Sequence, residues 1–192
     1  MRIACVLTAS ELTTSDAELI VLPEGASQRE IEQVQLSYPD AMTVGGMIEH
    51  GNSCGVLWHK RKNRIAYVKV GNDGRTRGGG DLSQMPLYEF GNVCIGVLMC
   101  MDIDNVIFSQ AVIDNIRSSP EKLKLLCIPA DMGDHWFNDN NSSALQRFQG
   151  MHVILCNHTK THQARCKSFI TDTHGRKMAV QQSHEALYAE LL

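Results

Sequence analysis

The sequence predicts an α/β fold in which the sheets are mixed rather than purely parallel. Short apolar runs rich in β-branched residues alternate with segments of helical spacing, the pattern of strands connected by helices. Two pairs of strand-like runs are joined by short turns, at residues 60–63 and 91–92, which predicts two antiparallel hairpins. No internal repeat or linker interrupts the 192 residues, so we expect one domain over residues 1–192.

In the first part of the chain, apolar runs predict five strands around one helix. The strands are residues 3–7, 19–22, 41–46, 54–59 and 65–70. The helix is residues 28–36, where apolar side chains recur on one face and Ser27 is placed to cap the N-terminus. A glycine-rich loop at 71–81 follows, and its spacing fits no phosphate-binding loop.

The second part of the chain predicts further strands and two helices. The strands are residues 87–90, 93–99, 123–128, 153–156 and 168–172, and another begins at 178–180. The helices are residues 106–116 and 142–150. The run at 93–99 is almost entirely apolar, so we expect it at the centre of a sheet, buried on both faces. The tail at 183–192 is short and mixed in character.

Three reactive side chains accompany these buried strands. Glu24 directly follows the second strand, Lys69 lies in an apolar strand-like segment, and Cys100 stands where the run at 93–99 ends. Reacting groups in α/β folds tend to lie at strand ends. Each residue alone also has an ordinary explanation, as a solvated glutamate, a lysine that reaches solvent, or a buried core cysteine.

Composition excludes several classes of protein. The formal net charge is −3, and no basic run is longer than residues 60–62, so we expect no nucleic-acid partner. No apolar run is long enough to span a membrane, and residues 1–7 are too short and too quickly polar for a signal peptide. Seven cysteines without a framework spacing indicate reduced thiols, and therefore a cytoplasmic location.

The three reactive residues lie in motifs that occur in a characteristic order. Leu22-Pro23-Glu24, Tyr67-Val68-Lys69 and Gly96-Val97-Leu98-Met99-Cys100-Met101-Asp102 together resemble the carbon–nitrogen hydrolase family, the nitrilase superfamily, whose site is a Glu, a Lys and a Cys in that order. Further stretches resemble other strands of the family: residues 43–46, 54–57, 125–130, 154–157 and 168–175. The resemblance covers the chain from Ile3 to about Val180.

The resemblance implies a fold and an activity. The fold is an α-β-β-α sandwich with two mixed sheets face to face, assembled as a homodimer or a higher homo-oligomer. The activity is hydrolysis of a non-peptide carbon–nitrogen bond in a small amide or nitrile, with an amide favoured, and without a cofactor. We expect Glu24 to act as the base and Cys100 to form a thioester. Lys69 and the N–H of Met101 are expected to stabilise the oxyanion.

The sequence also departs from the pattern of the family. Residues 10–16 are too few for the family's first long helix, and residues 146–150 replace its Arg-Ala-x-Glu-Asn segment. The family often has a second glutamate in the loop after the lysine, where this chain has Asp73 and Asp81, and either aspartate is a candidate substitute. His135 and Trp136 follow a strand end and are expected to line the pocket, although a tryptophan that anchors the loop fits equally well.

Two alternative interpretations remain open. The first is a non-catalytic ligand-binding homologue on the same fold, favoured by the shortened N-terminal region and the altered pocket segments. The second is a zinc site at Cys156, His158, His162 and Cys166. The spacing of that cluster matches no common zinc pattern, so we predict a polar loop with solvated histidines and no metal.

Overall fold

In the computed structural model, the structure describes residues 1–6, 12, 16–59, 63–71, 80–132, 145–157, 167–181 and 186–191. The first strands and helix are β1 (Arg2–Cys5), β2 (Leu19–Glu24), α1 (Gln28–Ser37), β3 (Met42–Glu49), β4 (Asn52–His59) and β5 (Asn63–Val68). Next come β6 (Leu87–Phe90), β7 (Val93–Val97), a 3₁₀ helix (Cys100–Ile103), α2 (Val106–Ser118) and β8 (Leu123–Ala130). The last strands are β9 (His152–Asn157), β10 (Phe169–Thr171), β11 (Lys177–Val180) and β12 (Leu187–Glu190).

The strands of the described part of the chain form two mixed sheets. The first has the order β12-β1-β2-β3-β4-β5, and the second has the order β11-β10-β9-β8-β7-β6. In each sheet three neighbouring strands are parallel, β1-β2-β3 in the first and β7-β8-β9 in the second. The remaining pairs are antiparallel and include both predicted hairpins, β4-β5 and β6-β7. The prediction of mixed sheets is therefore confirmed.

Strand β2 shows why the core strands are apolar without alternation. Val21 belongs to the core between the sheets, whereas Ile20 and Leu22 pack with Ile31 and Val34 of α1 on the outer face. Side chains alternate across a strand, so a strand covered on both faces must be apolar at every position. The α1 helix begins with a capping box, in which the Ser27 side chain accepts the N–H of the glutamate three residues later.

On the other side of the molecule, α2 covers the second sheet through Phe108, Val112 and Ile116. Gly96 of β7 allows this close packing, because an added Cβ would lie 2.5 Å from Cδ1 of Ile116. The layers are therefore α1, the first sheet, the second sheet and α2. This order confirms the predicted α-β-β-α sandwich.

Three local predictions need correction. The tail contains a strand, β12, which pairs antiparallel with β1, and the sequence pattern did not reveal it. The helix predicted at 142–150 is described only from residue 145: residues 145–146 are helical, whereas residues 147–150 form turns and Gly150 has a φ of +90°, so the helix ends earlier than predicted. Lys69 lies one residue beyond β5 rather than inside it, and its N–H donates to the Ser53 carbonyl at 2.8 Å.

Candidate active site

The fold brings Glu24, Lys69 and Cys100 together between the two sheets. Glu24 is the last residue of β2, Lys69 follows β5, and Cys100 begins the 3₁₀ helix after β7. Nζ of Lys69 donates to Oε1 of Glu24 at 2.9 Å, and the Cys100 thiol is hydrogen-bonded to the Glu24 side chain. All three are buried, with exposed fractions of 7% for Glu24, 0% for Lys69 and 3% for Cys100. A buried lysine and glutamate require such pairing, because an unpaired charge is costly to bury.

Ser53, at the start of β4, contacts both members of the ion pair. Its Oγ donates to Oε1 of Glu24 at 2.9 Å, and its carbonyl accepts the N–H of Lys69. Oε1 of Glu24 therefore accepts two hydrogen bonds, and these fix the orientation of the carboxylate. Ser53 was not predicted as a site residue, because a serine at a strand end gives no chemical signal until the neighbouring strands are known.

The backbone at Cys100 has a conformation that L-amino acids rarely adopt. Its φ is +30°, one of two positive values among the described residues other than glycine. Such a conformation costs free energy and persists only where neighbouring contacts hold it. The hydroxyl of Tyr67 supplies one contact, because it accepts the N–H of Met99, the residue before Cys100.

Asp102 holds the other side of the Cys100 turn. Its carboxylate is fully buried and accepts the N–H of Val70 at 3.0 Å and the N–H of Gly71 at 2.6 Å. The hydroxyl of Tyr67 also bonds to this carboxylate. The residues on both sides of Cys100 are therefore tied to the segment that carries Lys69, which fixes the thiol relative to the ammonium group.

Two glycines let the sheets approach closely at this point. A Cβ added to Gly46 would lie 2.5 Å from Cε of Met99 and 2.9 Å from Cα of Glu24. A Cβ added to Gly55 would overlap the ring of Tyr67 and lie 3.0 Å from Cγ of Met99. The side chain of Met99 thus fills a recess that only glycine leaves open, and Cys100 follows it directly.

Burial dominates the electrostatics of the Cys100 thiol. Burial raises the pKa of Cys100 to about 12, with a further contribution from the Glu24 charge. The Lys69 charge lowers this pKa, but burial and the Glu24 charge outweigh it. At neutral pH the thiol is therefore protonated and lies beside a potential proton acceptor. A nucleophilic attack by this sulfur would therefore require the thiol proton to leave during the attack.

The remaining predicted site residues have different outcomes. Met101 lies in the first turn of the 3₁₀ helix, where backbone N–H groups are open to an external acceptor. Asp81 is exposed, and its carboxylate accepts the N–H of Ser83 at 2.8 Å within its own loop, which does not fit a buried second acid. Asp73, His135 and Trp136 lie outside the described residues.

The described part of the chain shows neither a cluster of metal ligands nor a membrane-spanning helix. It contains no group of three or more His, Cys, Asp or Glu side chains arranged to hold a metal ion. Of the cysteine and histidine cluster, only Cys156 is described, and its Sγ lies 3.6 Å from the carbonyl of Val6. None of the described helices has the length and apolar character required to cross a membrane.

Comparison with known proteins identifies the fold. No family model and no curated protein matches the sequence. Among solved structures, an amidase from Nesterenkonia sp. is similar with a TM-score of 0.70 at 15% identity, covering 100% of this chain and 90% of that chain. Saccharomyces cerevisiae Nit3, a member of branch 10 of the nitrilase superfamily, gives a TM-score of 0.70 at 13% identity, with 98% and 89% coverage.

A third similar structure is a CN-hydrolase superfamily protein from Xanthomonas campestris that carries an arsenic adduct in its active site. It gives a TM-score of 0.70 at 14% identity, covering 98% of this chain and 89% of that chain. These likenesses extend over nearly the whole of both chains in each pair. The chain therefore has the fold of the nitrilase superfamily.

Proposed function

We propose that the chain is a hydrolase of non-peptide carbon–nitrogen bonds that cleaves a small amide to an acid and ammonia or an amine. The observation that carries the proposal is the buried contact of a thiol, a carboxylate and an ammonium group at Cys100, Glu24 and Lys69. A structural role alone gives little reason to bury two charged groups beside a cysteine in a strained conformation.

The first half of the reaction forms a thioester. As the sulfur of Cys100 attacks the amide carbon, its proton passes to the carboxylate of Glu24. The carbonyl oxygen gains negative charge and is stabilised by the ammonium of Lys69 and the N–H of Met101. When the carbon–nitrogen bond breaks, Glu24 gives its proton to the leaving nitrogen. Ammonia or an amine departs, and the acyl group remains on Cys100.

The second half of the reaction releases the acid. Glu24, again a carboxylate, takes a proton from a water molecule as the water oxygen attacks the thioester carbon. The same two donors stabilise the second oxyanion. The carbon–sulfur bond then breaks, the carboxylic acid leaves, and the sulfur of Cys100 recovers the proton from Glu24. The cycle consumes one water and needs no cofactor.

An amide is favoured over a nitrile for two reasons. Glu24 holds a proton after the first step, which is what a poor amine leaving group requires. Several similar structures are of the Nesterenkonia amidase, and in one variant of that protein acrylamide has added to the active-site cysteine by Michael addition. These points support an amidase, and the choice between amide and nitrile is part of the proposal.

A second candidate is a ligand-binding homologue without catalysis. The observation that favours it is the pKa of Cys100, which is raised to about 12 and leaves the resting thiol neutral. Enzyme and binder differ in whether Glu24 accepts the thiol proton during attack, so the same variants distinguish them.

The experiment is ammonia release from a panel of small carboxamides and nitriles. The wild-type protein is expected to turn over at least one amide, whereas Cys100→Ala and Glu24→Gln are expected to be inactive while still folded. Lys69→Ala should fail through loss of oxyanion stabilisation, by about 10²–10³ in rate if it resembles loss of another oxyanion donor. Undiminished turnover in Cys100→Ala would refute the mechanism, and binding of an amide without turnover in the wild type would favour the second candidate.

We further propose that the chain acts in the cytoplasm as a homodimer or a higher homo-oligomer. Six cysteines of the described residues are free thiols, which fits a reducing compartment. Light scattering of the purified protein tests the oligomer, because a monomer mass at micromolar concentration would contradict it.

A further inference from the structure

The backbone that follows β8 lies beside the nucleophile. Strands β7 and β8 are parallel neighbours, with Val97 paired to Cys127, and the N–H of Leu98 donates to the carbonyl of Cys127 at 3.0 Å. Cys100 lies three residues beyond the end of β7, and Asp131 directly follows β8. The N–H of Asp131 is hydrogen-bonded to the sulfur of Cys100. A donor to the sulfur stabilises the thiolate more than the neutral thiol.

The position of this backbone depends on one buried side chain, Asn157. It is the last residue of β9, it pairs with Ala130, and it is fully buried. Its Oδ1 accepts the N–H of Met132 at 2.7 Å, and its Nδ2 donates to the carbonyl of Met132 at 3.1 Å. The carboxamide therefore continues the β8-β9 ladder for two residues beyond Ala130, by replacing a backbone amide with a side-chain amide.

The end of β9 is itself fixed. The N–H of Asn157 donates to Oγ of Ser168 at 3.0 Å, and both residues are buried. Only a carboxamide supplies one donor and one acceptor to the two groups of Met132. An aspartate lacks the donor, and a leucine of similar size lacks both. The requirement for asparagine at this position is therefore chemical rather than a matter of size.

We infer that Asn157 is a positioning residue for the nucleophile: it holds the 131–132 backbone so that the N–H of Asp131 points at the sulfur of Cys100. The N–H then stabilises the sulfur as it loses its proton to Glu24, in addition to the two donors that stabilise the oxyanion. The catalytic consequence rests on the proposed hydrolase function. The effect on the thiol does not, because it depends only on the contacts of the folded protein.

The test is the rate at which iodoacetamide alkylates Cys100, measured by peptide mass spectrometry between about pH 7 and 9.5. In this range the alkylation rate of a weakly acidic thiol is limited by the fraction present as thiolate. Asp131→Pro removes the N–H, and Asp131→Ala keeps it, so the two form a matched pair. Asn157→Leu removes both bonds to Met132, and Asn157→Asp keeps the acceptor alone. We expect alkylation about tenfold slower or more in Asp131→Pro and Asn157→Leu, equivalent to about 1.4 kcal/mol. Asp131→Ala should stay near wild type.

A control separates positioning from general loss of stability. Oγ1 of Thr171 accepts the N–H of Val153 at 3.0 Å in the same sheet and is fully buried. Thr171→Val therefore removes a comparable buried hydrogen bond away from Cys100. It should lower the urea midpoint without changing the pH profile of alkylation.

The inference is overturned if folded Asn157→Leu and Asp131→Pro alkylate at the wild-type rate, or if Thr171→Val slows alkylation as much as they do. The outcome is independent of the proposed function. If no amide is hydrolysed by the wild-type protein but the two variants still slow alkylation, the positioning role stands and the hydrolase proposal falls.

Discussion

A single methyl group added at Gly46 is predicted to disturb the candidate active site, although Gly46 has no reactive group. The added Cβ of Gly46→Ala would lie 2.5 Å from Cε and 2.8 Å from Sδ of Met99, and 2.9 Å from Cα of Glu24. The flexible end of Met99 can rotate away. The backbone of Glu24 can move only by carrying its carboxylate away from Cys100 and Lys69.

The expected change in the free energy of unfolding of Gly46→Ala is the sum of two opposing effects. Overpacking a well-filled core costs about 1–3 kcal/mol. Replacing glycine by alanine also restricts the unfolded chain, which returns about 0.4–1 kcal/mol. We therefore expect Gly46→Ala to lower the free energy of unfolding by about 0.5–2 kcal/mol, and Tm by about 2–4 °C per kcal/mol for a chain of this size. Alkylation of Cys100 should change as well, because Met99 is its neighbour.

The adjacent glycine provides the control. A Cβ added to Gly45 would lie 3.4 Å from Cδ1 of Ile31 and from Cβ of Leu22, which is ordinary van der Waals contact on the outer face of the sheet. Gly45→Ala should therefore remain within about 0.5 kcal/mol of wild type, with unchanged alkylation. Urea titration and peptide mass spectrometry measure both quantities. Equal effects of the two substitutions would refute the packing argument.

Three further perturbations test the site. Lys69→Met leaves the buried carboxylate of Glu24 without its cation and should lower the free energy of unfolding in urea by about 3–5 kcal/mol. The double variant Lys69→Met/Glu24→Gln should restore much of this loss. A double variant no more stable than the single one would contradict this account. Tyr67→Phe removes the acceptor for the N–H of Met99, so it should lower the free energy of unfolding by about 1–3 kcal/mol and change the alkylation rate of Cys100. A loss of stability with an unchanged alkylation rate would show that Tyr67 does not position Cys100. Because the folded pKa of Cys100 is raised to about 12, its contribution to stability is present below the unfolded thiol pKa of about 8.5 and is lost as the pH rises toward 12. The free energy of unfolding, measured in urea at several alkaline pH values, should therefore fall less steeply with pH in Cys100→Ser than in wild type, by up to about 1.4 kcal/mol per pH unit. An equal pH dependence in both proteins would show that the pKa of the folded thiol is not perturbed.

The sequence predicts those parts of the fold that depend on local signals. Both hairpins were predicted because a turn signal lies between two adjacent apolar runs, and α1 because Ser27 caps a segment of helical spacing. Strand β12 was missed because its partner, β1, lies at the opposite end of the chain, as in the pairing of Arg2 with Glu190. A short mixed segment becomes a strand only when a distant edge is available to pair with it.

The sequence likewise predicts only some of the residues of the candidate site. Glu24, Lys69 and Cys100 stand out because each accompanies an apolar strand, where a reactive side chain is unusual. Ser53 and Asn157 do not stand out, because their roles depend on which carboxylate or backbone amide the fold brings within hydrogen-bond distance. The direction of the thiol pKa was also beyond the sequence, since the depth of burial decides it and the lysine charge is only one contribution.

The mass of the Cys100 peptide after rapid acid quench tests the central claim most directly. The protein is mixed with a carboxamide selected from the ammonia-release panel, quenched within one turnover, and digested for mass spectrometry. We predict an acyl group on Cys100 that Cys100→Ala cannot carry and that does not form in Glu24→Gln, because the carboxylate is needed to accept the thiol proton. Turnover without a Cys100 adduct, together with full activity in Cys100→Ala, would contradict the thioester mechanism.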